Sequence, residues 1–164
     1  MNKQFDHEKL DVYRLELRFI EWVTPLLEEA AQIGKARARE ISDQLDRAGL
    51  SSLLNTAEGN GRRQRQTRAK FFDDARGSAT ECAACLDALV AKKIVSPERI
   101  DAGKELLIRI VSMLCGLVCR FDVENGFHEG PACYGDQAGA DERGRKADAP
   151  ISRTRTRTRT ISAP

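Results

Sequence analysis

The sequence predicts an all-α fold: an antiparallel up-and-down four-helix bundle followed by a disordered C-terminal tail. Three observations carry that expectation. Apolar residues recur at alternating steps of three and four through four segments of helical length. Aromatic residues make up only 5% of the chain, too few for a β-sandwich core. Before Pro131, proline occurs only at Pro25 and Pro97, so little interrupts those segments. At 164 residues the chain can hold one core and a tail, with residues 1–122 as the bundle and 123–164 as the extension.

The first helix is expected from about Glu8 to Ile33, and it carries two apolar stripes. Leu10, Tyr13, Leu17, Ile20, Thr24, Leu27 and Ala31 form a bundle seam. Val12, Leu15, Phe19, Trp22, Leu26, Ala30 and Ile33 form a second stripe, displaced by two residues, or roughly 200° around the helix. One four-helix core buries only one of them well. The second stripe, through Phe19 and Trp22, is therefore expected to meet another subunit. Pro25 should kink this helix or break it locally.

Helix two is expected from about Ala36 to Glu58, with Ile41, Leu45, Ala48, Ser52 and Asn55 on its seam and Gly59 as its stop. Helix three, about Gln66 to Lys93, turns Phe72, Ala75, Ala79, Cys82, Leu86 and Leu89 to the core. Ser96 and Pro97 open helix four as N-cap and first helical residue, ahead of the seam Ile100, Gly103, Leu107, Ile110, Leu114, Leu117 and Phe121. Short connections between these helices favour the up-and-down arrangement.

After Asp122 the periodicity stops, and the segment ends in the low-complexity run Arg153, Arg155, Arg157 and Arg159 alternating with threonine. Net charge is only +2, and residues 1–122 hold 20 Lys+Arg against 19 Asp+Glu. What distinguishes the cations is their clustering. Arg62, Arg63, Arg65, Arg68 and Lys70 crowd the glycine junction of helices two and three, and the remaining cluster lies in the tail. Both are expected to meet phosphates of RNA or DNA, with a protein-interaction scaffold as the alternative.

No catalytic constellation is expected. The two histidines, His7 and His128, fall at the chain start and in the tail, and Gly59-Asn-Gly61 lacks the preceding strand and the Lys-Ser/Thr of a phosphate loop. The five cysteines read as reduced core fillers rather than metal ligands, and no cofactor is expected. The chain has no apolar run of membrane-spanning length and no signal-peptide pattern at its start, so a cytoplasmic protein without a membrane role is expected.

The junction also carries a family resemblance. Gln44, Arg47, Ala48, Ser51, Asn55, Ala57, Glu58, Gly59, Gly61 and Arg62, followed by Phe71, Ala75, Arg76, Gly77, Ser78 and Glu81, resemble the paired motifs of small four-helix-bundle proteins encoded in intervening sequences of bacterial large-subunit ribosomal RNA genes. The likeness spans about residues 5–121. It implies a ring-shaped homopentamer, and a relative in diversity-generating retroelements, the accessory variability protein, binds nucleic acid and works with a reverse transcriptase. Leu53 stands where the family often has proline, and Gln64 with Thr67 replaces a Ser-x-x-Glu capping box, which should weaken the start of helix three. Asn55, Glu58 and Arg76 are expected to form one polar network beside Gly59, Gly61 and Gly77.

Overall fold

A computed structural model describes residues 4–34 and 36–122. A short 3-10 turn, Asp6–Lys9, precedes four helices: α1 Asp11–Gly34, α2 Ala36–Gly61, α3 Arg65–Ala91 and α4 Pro97–Phe121. Contacts join α1 to α2, α2 to α3, α3 to α4 and α4 back to α1, the closed circuit of an up-and-down bundle. Over the described residues the chain adopts the expected all-α up-and-down bundle, and the expected disordered tail, 123–164, lies outside them. The tail arginines, Arg153 to Arg159, lie outside the described residues.

The core takes the second stripe of α1. Val12, Leu15, Phe19, Val23, Leu26 and Ala30 are buried, whereas Leu17 on the other stripe is 39% exposed. This overturns the expectation that Phe19 and Trp22 face a second subunit. Phe19 is closed in by the chain's own helices, and Trp22, half-buried, packs against the core beside it with ring centroids 5.9 Å apart. Trp22 fits because α4 offers Gly103 at that level: a Cβ there would overlap its ring.

Two helix boundaries shift for physical reasons. α1 runs unbroken through Pro25, whose exposed position leaves solvent to serve the carbonyl that its missing N–H abandons. α2 continues past Gly59 to Gly61. Gly59 is needed for the crossing rather than for a stop, because a Cβ there would lie 3.0 Å from Phe71 Cβ and 3.2 Å from the Phe72 ring. Lys93 does the work of a helix-ending residue after α3, with φ of 57°. Ser96 occupies the N-cap position of α4 in extended conformation, but its side chain does not cap the backbone.

Polar groups are buried where α1 meets α2. Glu16, 2% exposed in the midst of the α1 core stripe, accepts hydrogen bonds through Oε1 from Ser52 Oγ at 2.7 Å and Thr56 Oγ1 at 2.8 Å. Its Oε2 has no partner among the described residues. Burial pushes this carboxyl up to about 7, although both hydroxyls oppose the shift.

Candidate nucleic-acid interface

The α2–α3 junction and the C-terminal end of α4 meet at one end of the bundle. Arg65 Nη2 donates to the Arg120 carbonyl at 2.7 Å, and Phe121 lies 5.8 Å from Phe72, centroid to centroid. Arg62, Arg63, Arg65, Arg68 and Arg120 are thus gathered at the end from which residues 123–164 continue.

The four junction arginines divide by task. Arg68 donates through Nε to the Gly59 carbonyl at 3.2 Å and through Nη2 to the Asn60 carbonyl at 2.8 Å, adding a charged donor at the end of α2, where the Gly59 carbonyl also accepts the Arg62 N–H at 3.2 Å. Its guanidinium also lies 4.8 Å from the Phe121 ring. Arg65 does the same for α4 through the Arg120 carbonyl. A cation at the negative end of a helix dipole is stabilising, so both arginines serve the fold as well as the surface. Arg62 pairs with Glu58 one turn back and covers the Phe71 ring at 4.9 Å. Arg63, exposed, has no hydrogen bond or ion pair among the described residues. It is the arginine most available to an external anion.

Beside them, the start of α3 lacks a side-chain cap. Gln64 holds the N-cap position without bonding the backbone, and its Oε1 instead accepts from the Thr67 hydroxyl at 3.2 Å. The weakened start expected from Gln64 and Thr67 has this local cause.

Asn55, Glu58 and Arg76 do not form one network. Arg76 binds Asp73, with Nε and Nη2 at 2.9 and 2.7 Å from the same Oδ1, Glu58 binds Arg62, and Asn55 donates to Ser51 Oγ at 3.3 Å. All three are local contacts three or four residues apart, the two ion pairs exposed and the Asn55–Ser51 bond part-buried, so the expectation of a buried charged crossing is corrected. Gly61 and Gly77 face open space. What crosses between α2 and α3 is a different polar seam, Gln44 to Glu81 and Ser51 to Ser78 at 3.0 Å, with Arg47 donating to Gln44 within α2. All five of these residues belong to the helix-two and helix-three motifs that carry the family likeness, and the seam fixes the register of the two helices from outside the core.

The buried polar side chain missed by sequence reasoning is Glu16. Its signal was an acid flanked by Leu15 and Phe19 on a continuous apolar stripe, with two hydroxyls, Ser52 and Thr56, one turn apart on α2. Among the described residues no three His, Cys, Asp or Glu side chains gather to hold a metal. Cys82 and Cys85 are buried and Cys119 is exposed, none of them in a disulfide, and burial pushes the Cys82 thiol up to about 12, which keeps it neutral.

A family model described as 23S rRNA-intervening sequence protein matches residues 8–116. The chain belongs to this family. The matched span takes in all of α1, α2 and α3 and most of α4, and excludes the tail. No curated protein matches the chain. No described helix of this 23S rRNA-intervening sequence family member is long and apolar enough to cross a membrane.

Proposed function

We propose that the protein is a non-enzymatic, cytoplasmic, oligomeric bundle that binds RNA or DNA without sequence preference through its arginine-rich end. The observation that carries this reading is the convergence of Arg62, Arg63, Arg65, Arg68 and Arg120 at one end, beside the uncapped start of α3. Phosphate groups match that chemistry, since guanidinium donors and unpaired helix N–H groups both favour anions. The tail begins at the same end, so Arg153, Arg155, Arg157 and Arg159 are tethered to it and add contacts at a raised effective concentration. A homo-oligomer, a pentamer by family resemblance, would repeat the basic end around a ring. By the same resemblance, an RNA or a reverse transcriptase is the partner such a ring would assist.

The test is titration of labelled RNA and DNA at two salt concentrations with the full chain, a chain ending at Asp122, and a full chain carrying Arg62→Gln and Arg63→Gln. The expected result is binding that weakens steeply with salt, with a log-log slope of about −0.9 per phosphate neutralised on duplex DNA, and that falls in the double variant. Loss only on truncation assigns binding to the tail. A full chain that fails to bind at low salt replaces this reading with the protein-interaction scaffold.

A further inference from the structure

Two of the cysteines depart from the core-filler expectation. Cys82 and Cys85 are buried on α3, but on α4 Cys115 is half-buried and Cys119 is exposed. These two stand one turn apart, at i and i+4, so they share one strip of the helix surface with β-carbons about 5–6 Å apart. That separation selects the chemistry open to them. A disulfide needs β-carbons about 3.5–4.5 Å apart, so Cys115 and Cys119 cannot join without unwinding α4. A metal ion held between two sulfurs needs more room. Metal–thiolate bonds of about 2.3 Å, the length found with zinc, set the sulfurs of a linear S–metal–S unit about 4.6 Å apart, a span that side chains on adjacent turns reach.

The donor set narrows the ion. Among the described residues no three His, Cys, Asp or Glu side chains gather, so the pair brings two thiolates and no third protein ligand from the bundle. Two soft thiolates suit a closed-shell monovalent ion and leave the tetrahedral demand of Zn(II) unmet. Two thiolates around one such ion leave a net negative charge, and a cation stands within electrostatic range of it. Asp73 raises the Arg76 guanidinium above its ordinary value, through a hydrogen bond first, and Cys115 adds to that pull. The other closely spaced pair does not compete. Burial pushes the Cys82 thiol up to about 12 and raises Cys85 as well, which holds both as neutral thiols.

We propose that Cys115 and Cys119 form a two-coordinate site for monovalent copper on the exposed side of α4. Binding exchanges the two thiol protons, which pass to solvent, for one Cu(I) and changes no oxidation state. The site does not rest on nucleic-acid binding by the arginine-rich end.

The experiment titrates the full chain with Cu(I) under nitrogen, in competition with the chromogenic chelator bathocuproine disulfonate, and follows thiolate-to-copper absorption in the ultraviolet. It is run on the parent and on Cys133→Ser, which removes the thiol that lies outside the described residues. Both should take up one ion per chain, and both should bind Zn(II) far more weakly. Cys119→Ser should weaken Cu(I) binding by more than about a hundredfold, beyond what losing a neighbour of a metal ligand typically costs. That position is exposed, so circular dichroism and thermal midpoint should stay at parental values. Cys119→Ser with Arg120→Cys keeps the number of thiols but turns the second sulfur about 100° further around the helix, and it should bind as weakly as Cys119→Ser alone. The proposal is overturned if the parent takes no Cu(I) from the chelator, if Cys133→Ser abolishes uptake, or if Zn(II) binds as tightly as Cu(I). Parental affinity in either Cys119 variant also overturns it, as does copper uptake that joins chains into larger assemblies.

Discussion

At Glu16, burial rather than hydrogen bonding sets the charge: desolvation raises the carboxyl, while the Ser52 and Thr56 hydroxyls oppose the shift. Ser52 Oγ lies within hydrogen-bond distance of both Glu16 Oε1 and the Ala75 carbonyl, at 2.7 and 3.1 Å, yet a hydroxyl has one proton to give. Its proton goes to Glu16 Oε1 at the shorter distance, and Thr56 donates to the same oxygen. Raised from 4.5 to about 7, the group binds its proton more tightly in the folded state than in the unfolded one. Its contribution to stability is complete below about pH 4.5 and is lost as pH rises through 7, a change of about 3 kcal/mol. Glu16→Gln keeps the shape and stays neutral. It should therefore unfold at a higher urea concentration than the parent at pH 8 and remove most of the fall in midpoint between pH 5 and pH 8. Equal pH dependence in the two proteins would show that Glu16 is already ionised in the fold. At Gly103 the constraint is steric: Gly103→Ala should displace the Trp22 ring and cost about 1–3 kcal/mol, read as a lower thermal midpoint together with a shifted emission maximum.

Between elements, periodicity was a reliable guide to the helices and a poor one to their facing. The seams of α3 and α4 were legible because each helix has one apolar stripe, and Phe72, Ala75, Ala79, Cys82, Leu86, Leu89, Ile100, Leu107, Ile110 and Leu114 are all buried. α1 has two stripes of equal regularity, and spacing alone cannot rank them. The deciding features were partners on other helices: the Gly103 gap that admits Trp22, and Ser52 with Thr56, which satisfy Glu16 only when its stripe faces inward. The junction was legible in composition but not in pairing, because arginine reaches far enough to choose a carbonyl several residues away over a nearby carboxylate. That choice separates stability from binding. Arg68→Gln should lower stability by about 1 kcal/mol through lost bonds to the Gly59 and Asn60 carbonyls, whereas Arg63→Gln should leave the thermal midpoint unchanged and weaken nucleic-acid binding. Equal thermal midpoints for the two variants would remove the capping role.

For the whole molecule, the inverted facing of α1 moves the expected subunit contact to the other side of the same helix. Ile20 lies beside Gly49, and Glu16 bonds to Ser52 and Thr56, so the stretch of α1 that carries Leu17 runs alongside the stretch of α2 that carries Leu50 and Leu54. These leucines are 39%, 49% and 57% exposed, an apolar outer flank with no role in the chain's own core. A ring needs a contact between two different patches, because a patch that meets only itself closes at a dimer. In the proposed ring the flank would be one half of such a contact, while Phe19 belongs to the fold. Two variants separate the roles. Leu50→Glu with Leu54→Glu should leave a folded helical monomer of 18.3 kDa by light scattering, with charge placed where a neighbour would have covered it. Phe19→Asp should lose the fold itself, since it buries an unpaired carboxylate in a site 2% exposed. A parent chain that already scatters as a monomer at micromolar concentration would leave the flank as exposed surface, and a Phe19→Asp chain that stays folded but dissociates would return the contact to the stripe on which the core is built.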